Sequence, residues 1–406
     1  MPVMESPLSK MVRSLRSSQI RDLLALTQQS GMLSMAGGLP APETFPMTEL
    51  AAAAQRVLAR GGMTGPPALQ YGPTEGAPEL RELVAASLGE RVDHVLVTTG
   101  SQQALDLLAR CLCDPGDVIV TADPTYLGAL QAFAASGATT VAVSSDGEGL
   151  LTDSLEQMLI EGLQPRAVYV VPNFHNPTGV TMSDARRRHL AALADRFGFV
   201  IIEDDPYGSI AFDAANGDAG TGDAARLEAP GSMALLTDRC VRVRTTSKVL
   251  APGLRVGWMV GPLWLIAAAV RLKQSVDLHT PGLPQLIASE LLQDQAWFSQ
   301  QLARTREHYR VRADALTNAI DRHLGERVTY TPPRGGMFCW VVAREAGVDA
   351  TALFRRAVGV GVAFVPGSAF AVDGTSHASA MRLSFATLSP DDLDVATQRL
   401  ASMWDR

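Results

Sequence analysis

Lys248 follows three hydroxyl residues, Thr245, Thr246 and Ser247, and Arg255 stands seven positions further on, in the stretch TTSKVLAPGLRVGW. A lysine amine attacks a carbonyl only as the free base, so a reactive Lys248 needs burial or a neighbouring positive charge to lower its pKa. Arg255 supplies such a charge, and its planar fork also suits a phosphate. Thr245 and Ser247 add short hydroxyl donors. The stretch fits a cofactor that carries both a carbonyl and a phosphate. Taken alone it equally fits a plain helix start, with serine as the cap and the lysine in solvent.

Three more clusters carry chemistry. TTGSQQAL runs from an apolar strand through Gly100 into an amphipathic helix opened by Ser101 and Gln102. Backbone N–H groups and the dipole at a helix start favour a phosphate, although the same residues also make an ordinary strand-to-helix turn. EDDPYG places Glu203, Asp204 and Asp205 at a strand end with Tyr207 close behind. A buried carboxylate facing a pyridine nitrogen would keep it protonated and make the ring an electron sink. A solvated acidic turn before Pro206 is the plain alternative. NFHNPTG presents the Asn176 amide in a turn formed with Pro177 and Gly179. His175 beside it either touches a ligand or simply packs.

Three of these clusters, those around Ser101, Asn176 and Asp204, sit where apolar runs end. HVLVTTG, DVIVTADPTY, AVYVVPNFHNPTG and FGFVIIEDDPYG are continuous rather than alternating. That pattern predicts strands buried on both faces, hence an α/β fold with a mostly parallel sheet sandwiched by helices. Ligands of such sheets collect beyond the carboxyl ends of the strands. From about Leu283 the pattern turns to long helices, then short strands in GGMFCWVV, GVAFVPG and MRLSFA, which predicts a smaller α+β domain. The expected division is residues 1–45 as an arm contributing to the small domain and the active site, 46–282 as the large cofactor-binding domain, and 283–406 as the small domain. Residues 211–231, rich in Ala, Gly and Asp, read as an exposed excursion.

Composition narrows the function classes. A chain of 406 residues exceeds what one core usually serves. Its net charge of −7, without a basic block, argues against nucleic acid. Arg186, Arg187 and Arg188 read as a solvated helix face. The cysteines lack metal-ligand spacing, so no metal is expected, and Cys111 and Cys113 read as buried free thiols. No run is long and apolar enough for a signal peptide or a bilayer span, so no membrane partner and a cytoplasmic location are expected. G-x-G-x-x-G after the first strand, the P-loop and H-E-x-x-H are all missing, which removes nicotinamide, P-loop and zinc-hydrolase readings.

Taken together and in order, the segments SSQIRDLL, AGGLPAPETFP, LQYGPTEGAPELRE, TTGSQQALDLLA, DPTYLGAL, NFHNPTG, EDDPYG, TTSKVLAPGLRVGW, GGMFCWV and MRLSFA resemble the fold type I pyridoxal 5′-phosphate enzymes. The resemblance runs from about Ser18 to Ala386 and is to class I/II aminotransferases, in the α-aminoadipate/kynurenine branch. It implies that Lys248 is the Schiff-base lysine and that Asp204 partners the pyridine nitrogen, leaving Glu203 and Asp205 as bystanders. Tyr207 and Asn176 would bond the cofactor's phenolic oxygen, and Tyr126 would cover the ring. Ser101, Gln102, Thr245, Ser247 and Arg255 would hold the phosphate. Tyr71 would reach the phosphate of a neighbouring subunit, which implies a homodimer with shared active sites. Arg382 would grip the substrate α-carboxylate, with Gly38 letting backbone pass close by. Arg21 either binds a distal carboxylate or points to solvent. The implied reaction moves an amino group between an L-amino acid and a 2-oxo acid, with the freed Lys248 amine as the base. The same residues also serve elimination or replacement at the side chain, decarboxylation and oxidation. An effector-sensing domain of a transcription regulator is a further alternative, but the segment ahead of Ala36 lacks basic recognition-helix character.

Overall fold

The computed structural model describes residues 8–14, 31–62, 66–212 and 231–404. Its strands, in chain order, are β1 (Leu33–Ser34), β2 (Val95–Thr98), β3 (Val118–Asp123), β4 (Thr139–Asp146), β5 (Gly149–Leu150), β6 (Pro165–Val170) and β7 (Val200–Asp204). They continue with β8 (Cys240–Thr245), β9 (Gly257–Val260), β10 (Val328–Tyr330), β11 (Phe338–Ala343), β12 (Val362–Ala363), β13 (Val365–Pro366) and β14 (Ala380–Ser384).

The apolar runs become the central sheet, in the order β2-β9-β8-β7-β6-β3-β4-β5. The pairings β8–β7, β7–β6, β6–β3 and β3–β4 are parallel, whereas β9 runs antiparallel to both β2 and β8. Alternate residues on one strand feed cores on opposite faces, as the pleat requires. Along β6, Ala167 and Tyr169 belong to one core and Val168 and Val170 to the other. The first core takes Leu105 and Leu108 from the helix Ser101–Leu112 and Leu265 from the helix Leu263–Val276. The second takes Leu190 and Leu193 from the helix Asp184–Phe197. The continuous apolar strands are thus covered on both sides.

A smaller antiparallel sheet, β10-β11-β14-β13, follows the long helix Gln295–His323. β1 pairs parallel with β12, and the Ser384 N–H donates to the Met35 carbonyl at 2.8 Å. The chain around Ala36 to Gly38 is therefore stitched beside β14, which carries Arg382.

Two expectations are revised. Of the arginine triplet only Arg188 is exposed; Arg186 pairs with Asp146, and Arg187 is buried. The Arg187 guanidinium donates to the carbonyls of Met182, Pro172 and Gly231 and to Asn173 Oδ1. Ser183 caps the helix by accepting from the Arg186 N–H, and this register turns the next side chain inward. Cys113 is buried, but Cys111 is only half-buried. Most of the 211–231 excursion, and Arg21, lie outside the described residues. Among the described residues no helix is long and apolar enough to cross a membrane.

Candidate active site

Beyond the carboxyl ends of the parallel strands lies a cavity of about 280 Å³. Its walls bring together Ser101, Gln102, Thr245, Ser247 and Arg255, then Gly38, Asn176 and Arg382, and with them Lys248, Tyr126, Asp204 and Tyr207. Tyr71 is not among its walls. That residue is 80% exposed and meets His279 edge-on.

β8 stops at Thr245, whose side chain accepts from the Ser247 N–H at 3.2 Å and starts a tight turn. The turn delivers Lys248 to the cavity, where Nζ donates to the Gly38 carbonyl at 2.9 Å. Desolvation, and then the charges of Arg382 and Arg255, lower the amine's pKa to about 8. Arg255 adopts a left-handed backbone (φ 51°) and donates from Nη2 to the Thr99 carbonyl at 3.2 Å. Gly100 makes room for this contact: a Cβ there would lie 2.4 Å from Arg255 Nη2, and its φ of +79° suits glycine. Gln102 spends its side-chain amide on the Gly128 carbonyl at 2.7 Å. What this helix leaves for an anion is Ser101 on the cavity wall and the backbone N–H groups of its first turn.

Behind that turn, sequence reasoning misses a supporting cluster. Lys273 is fully buried and donates to Asp277 Oδ1 and Oδ2 and to Gln103 Oε1, each at 2.8 Å. Gln103 Oε1 accepts from the Thr99 N–H, and Thr99 Oγ1 donates to Asp277 Oδ2. Thr99, directly ahead of Gly100, is thereby pinned.

Asp204 ends β7, buried. Burial raises its pKa to about 7; Asp205 adds to the rise, while the Tyr169 hydrogen bond and Arg244 oppose it. The two neighbouring acids are not solvated. Glu203 accepts from Ser232 Oγ, the Met233 N–H and Arg244, and Asp205 accepts from Asn173 Nδ2 at 2.8 Å and pairs with Arg244. Asp205 Oδ1 also takes the N–H groups of Tyr207 and Gly208, which shapes the turn that presents Tyr207. Neither acid lines the cavity; both belong to the frame around Asp204.

Arg382 is buried and bonded on several sides. Nη1 donates to Asn176 Oδ1 at 2.9 Å and Nη2 to the Ala36 carbonyl at 2.6 Å, while Nε has no partner among the described residues. The guanidinium lies between the rings of Phe338 and Phe370, at 4.2 and 4.8 Å. Burial lowers its pKa to about 10, still charged at neutral pH. Asn176 also hydrogen-bonds Tyr207, whose phenol burial keeps neutral. His175 does not line the cavity. Its Nδ1 meets Thr178 Oγ1 at 2.8 Å, and burial lowers its pKa to about 4. A neutral imidazole that braces the turn containing Asn176 is the outcome.

A sequence model of the family described as "Aminotransferase class I and II" matches residues 31–400. The chain is 43% identical to the 2-aminoadipate transaminase of Thermus thermophilus over 95% of its own length and 93% of the relative's. It is 37% identical to aromatic-amino-acid aminotransferase 1 of Thermococcus litoralis, over 98% of this chain and 94% of that one. Among solved structures, the α-aminoadipate aminotransferase of Thermus thermophilus, complexed with N-(5′-phosphopyridoxyl)-L-leucine, superposes with a TM-score of 0.87. That match has 40% identity and covers 98% of this chain and 97% of that one.

Proposed function

The chain belongs to the aminotransferase class I and II family and is a pyridoxal 5′-phosphate-dependent aminotransferase; from that premise we propose which side chains do the work and on what. The observation that carries the assignment is the meeting, in one cavity, of a lysine with a depressed pKa, an anion cradle and a buried acid, Asp204, whose Oδ1 has no hydrogen-bond partner among the described residues.

The donor set fits the cofactor. Thr245, Ser247, Arg255 and the N–H groups of Ser101 and Gln102 would hold the phosphate, with Tyr126 against the ring and Tyr207 and Asn176 at its oxygen. When bound, the cofactor supplies an aldehyde that takes up the amino group and a ring that accepts the electrons released at the substrate Cα. Arg382, on the cavity wall, would present its charged fork to the α-carboxylate and orient the amino acid. Lys248, an amine poised near neutrality, would take the proton from the substrate Cα and deliver it to the aldehyde carbon on the far side of the shared nitrogen. Asp204 keeps a proton on the ring nitrogen by charge. Phe338 and Phe370 hold Arg382 in one orientation and keep water from its faces.

Substrates are an L-amino acid and a 2-oxo acid. We take 2-aminoadipate and the aromatic amino acids, named for the relatives, as the first to assay here. A homodimer in which Tyr71 serves the neighbouring site, a cytoplasmic location, and the division of the chain at residues 45 and 282 belong to the same reading. Borohydride reduction of the holoenzyme followed by peptide mapping should label Lys248, and Lys248→Ala should lose at least about a thousandfold in kcat. Labelling elsewhere, or normal turnover by the variant, would overturn the assignment.

A further inference from the structure

The acid that faces the cofactor is itself held by a residue that none of the motifs includes. β6 and β7 run parallel with Tyr169 in register with Ile202. Asp204 is two residues beyond Ile202 and so lies on the same face of the sheet, diagonal to Tyr169. The Tyr169 hydroxyl donates to Asp204 Oδ2 at 2.9 Å, deep in the core. Its ring is locked edge-on against Phe133, with centroids 5.4 Å apart. Asp204 Oδ1, by contrast, has no hydrogen-bond partner among the described residues, and Asp204 lines the cavity. One oxygen is tied back and the other is left over.

We propose that Tyr169 is a positioning residue for the reaction: its phenol fixes the Asp204 carboxylate with Oδ1 spare, and sets how firmly the proton stays on the cofactor's ring nitrogen. This rests on the reading of Asp204 as the partner of that nitrogen. The proton between carboxylate and nitrogen goes to the stronger base. A phenol donating to Oδ2 withdraws charge from the carboxylate and weakens it as a base, which leaves the proton on nitrogen and the ring a better electron sink. The other groups around Asp204 do not replace this donor. Tyr126 and Tyr207 act on it only through space, and Arg244 is engaged with Glu203 and Asp205. Burial drives the Tyr169 pKa well above that of an ordinary tyrosine, so it remains a donor throughout the working pH range.

The test compares Tyr169→Phe, which keeps the ring against Phe133, with a protein carrying a fluorinated tyrosine at the same position, a stronger donor. In the holoenzyme with nitrogen-labelled cofactor, the ring-nitrogen NMR shift should move towards neutral pyridine in Tyr169→Phe and the opposite way with fluorotyrosine. kcat should fall roughly tenfold in Tyr169→Phe while KM for the amino acid stays within roughly twofold. In the cofactor-free protein, the titration midpoint of the Asp204 carboxyl, followed by NMR, should rise in Tyr169→Phe. A ring-nitrogen shift indifferent to both substitutions in folded protein, or a loss confined to KM, refutes the proposal. If the wild-type chain took up no cofactor, the reading of the site would fall, and the Asp204 titration would still decide whether Tyr169 governs that carboxylate.

Discussion

Lys248 shows how a residue type acquires a function from its surroundings. An ordinary lysine is almost wholly protonated at neutral pH, whereas desolvation and two arginine charges bring this one down to about 8. The sign is fixed by the chemistry: only the free amine attacks an aldehyde, and that form is populated above the pKa. Stopped-flow mixing of the cofactor-free protein with pyridoxal 5′-phosphate should therefore show an uptake rate that climbs with pH and levels off above about pH 8. A climb that continued towards pH 10 would mean that Lys248 is not desolvated. Arg382 is treated differently: burial lowers its pKa as well, but only to about 10, so the fork keeps its charge over the same range. One cation of the cavity gives up its proton within reach of neutrality and the other does not. That division suits a base and an anchor respectively.

At the scale of elements, the site depends on how closely strands and turns can approach. In β9, a Cβ at Gly257 would lie 2.7 Å from the Arg244 carbonyl and 2.9 Å from the Gly100 carbonyl carbon, both backbone atoms that cannot swing away. Gly257→Ala should cost about 1–3 kcal/mol, seen as a lower Tm, and should weaken cofactor binding by pushing the Gly100 turn off its position. A variant with unchanged Tm and cofactor affinity would show that the packing there is loose. Such cross-element dependence also marks the limit of sequence reading. Lys248, Asn176, Tyr207 and Arg255 are legible because each sits in a short motif beside a turn former, whereas Arg382, in the middle of β14, is legible only through the resemblance that MRLSFA helps carry. Tyr169 is hidden because it reads as one more apolar residue of β6, and only its register against β7 sets it beside Asp204. Arg187, Glu203 and Asp205 look like surface charge because a one-dimensional string does not show that Asn173 and Arg244 close the network over them.

The whole molecule is larger than one chain in this reading. Tyr71, in a segment that also exposes Leu69, stands clear of its own cavity, and few tyrosines are left 80% exposed without a partner surface. Sedimentation should find a dimer, and Tyr71→Phe should raise the cofactor dissociation constant roughly tenfold without altering the Tm of a single chain's fold. A monomer with full activity would exclude a shared site. The two sheets are also tied within the chain. Asp123, at the end of β3, accepts from the Val372 N–H and meets His377 Nε2, both in the loop that follows Phe370, at 3.0 Å each. Arg382 completes the tie: its guanidinium hangs from the Ala36 carbonyl, the Asn176 amide and two phenyl faces, contributed by stretches far apart in sequence. That fork consequently works as a gauge of assembly. Any substitution that unseats the small sheet from the large one, however remote, will register first as a weakened grip on carboxylates, before a melting curve detects it.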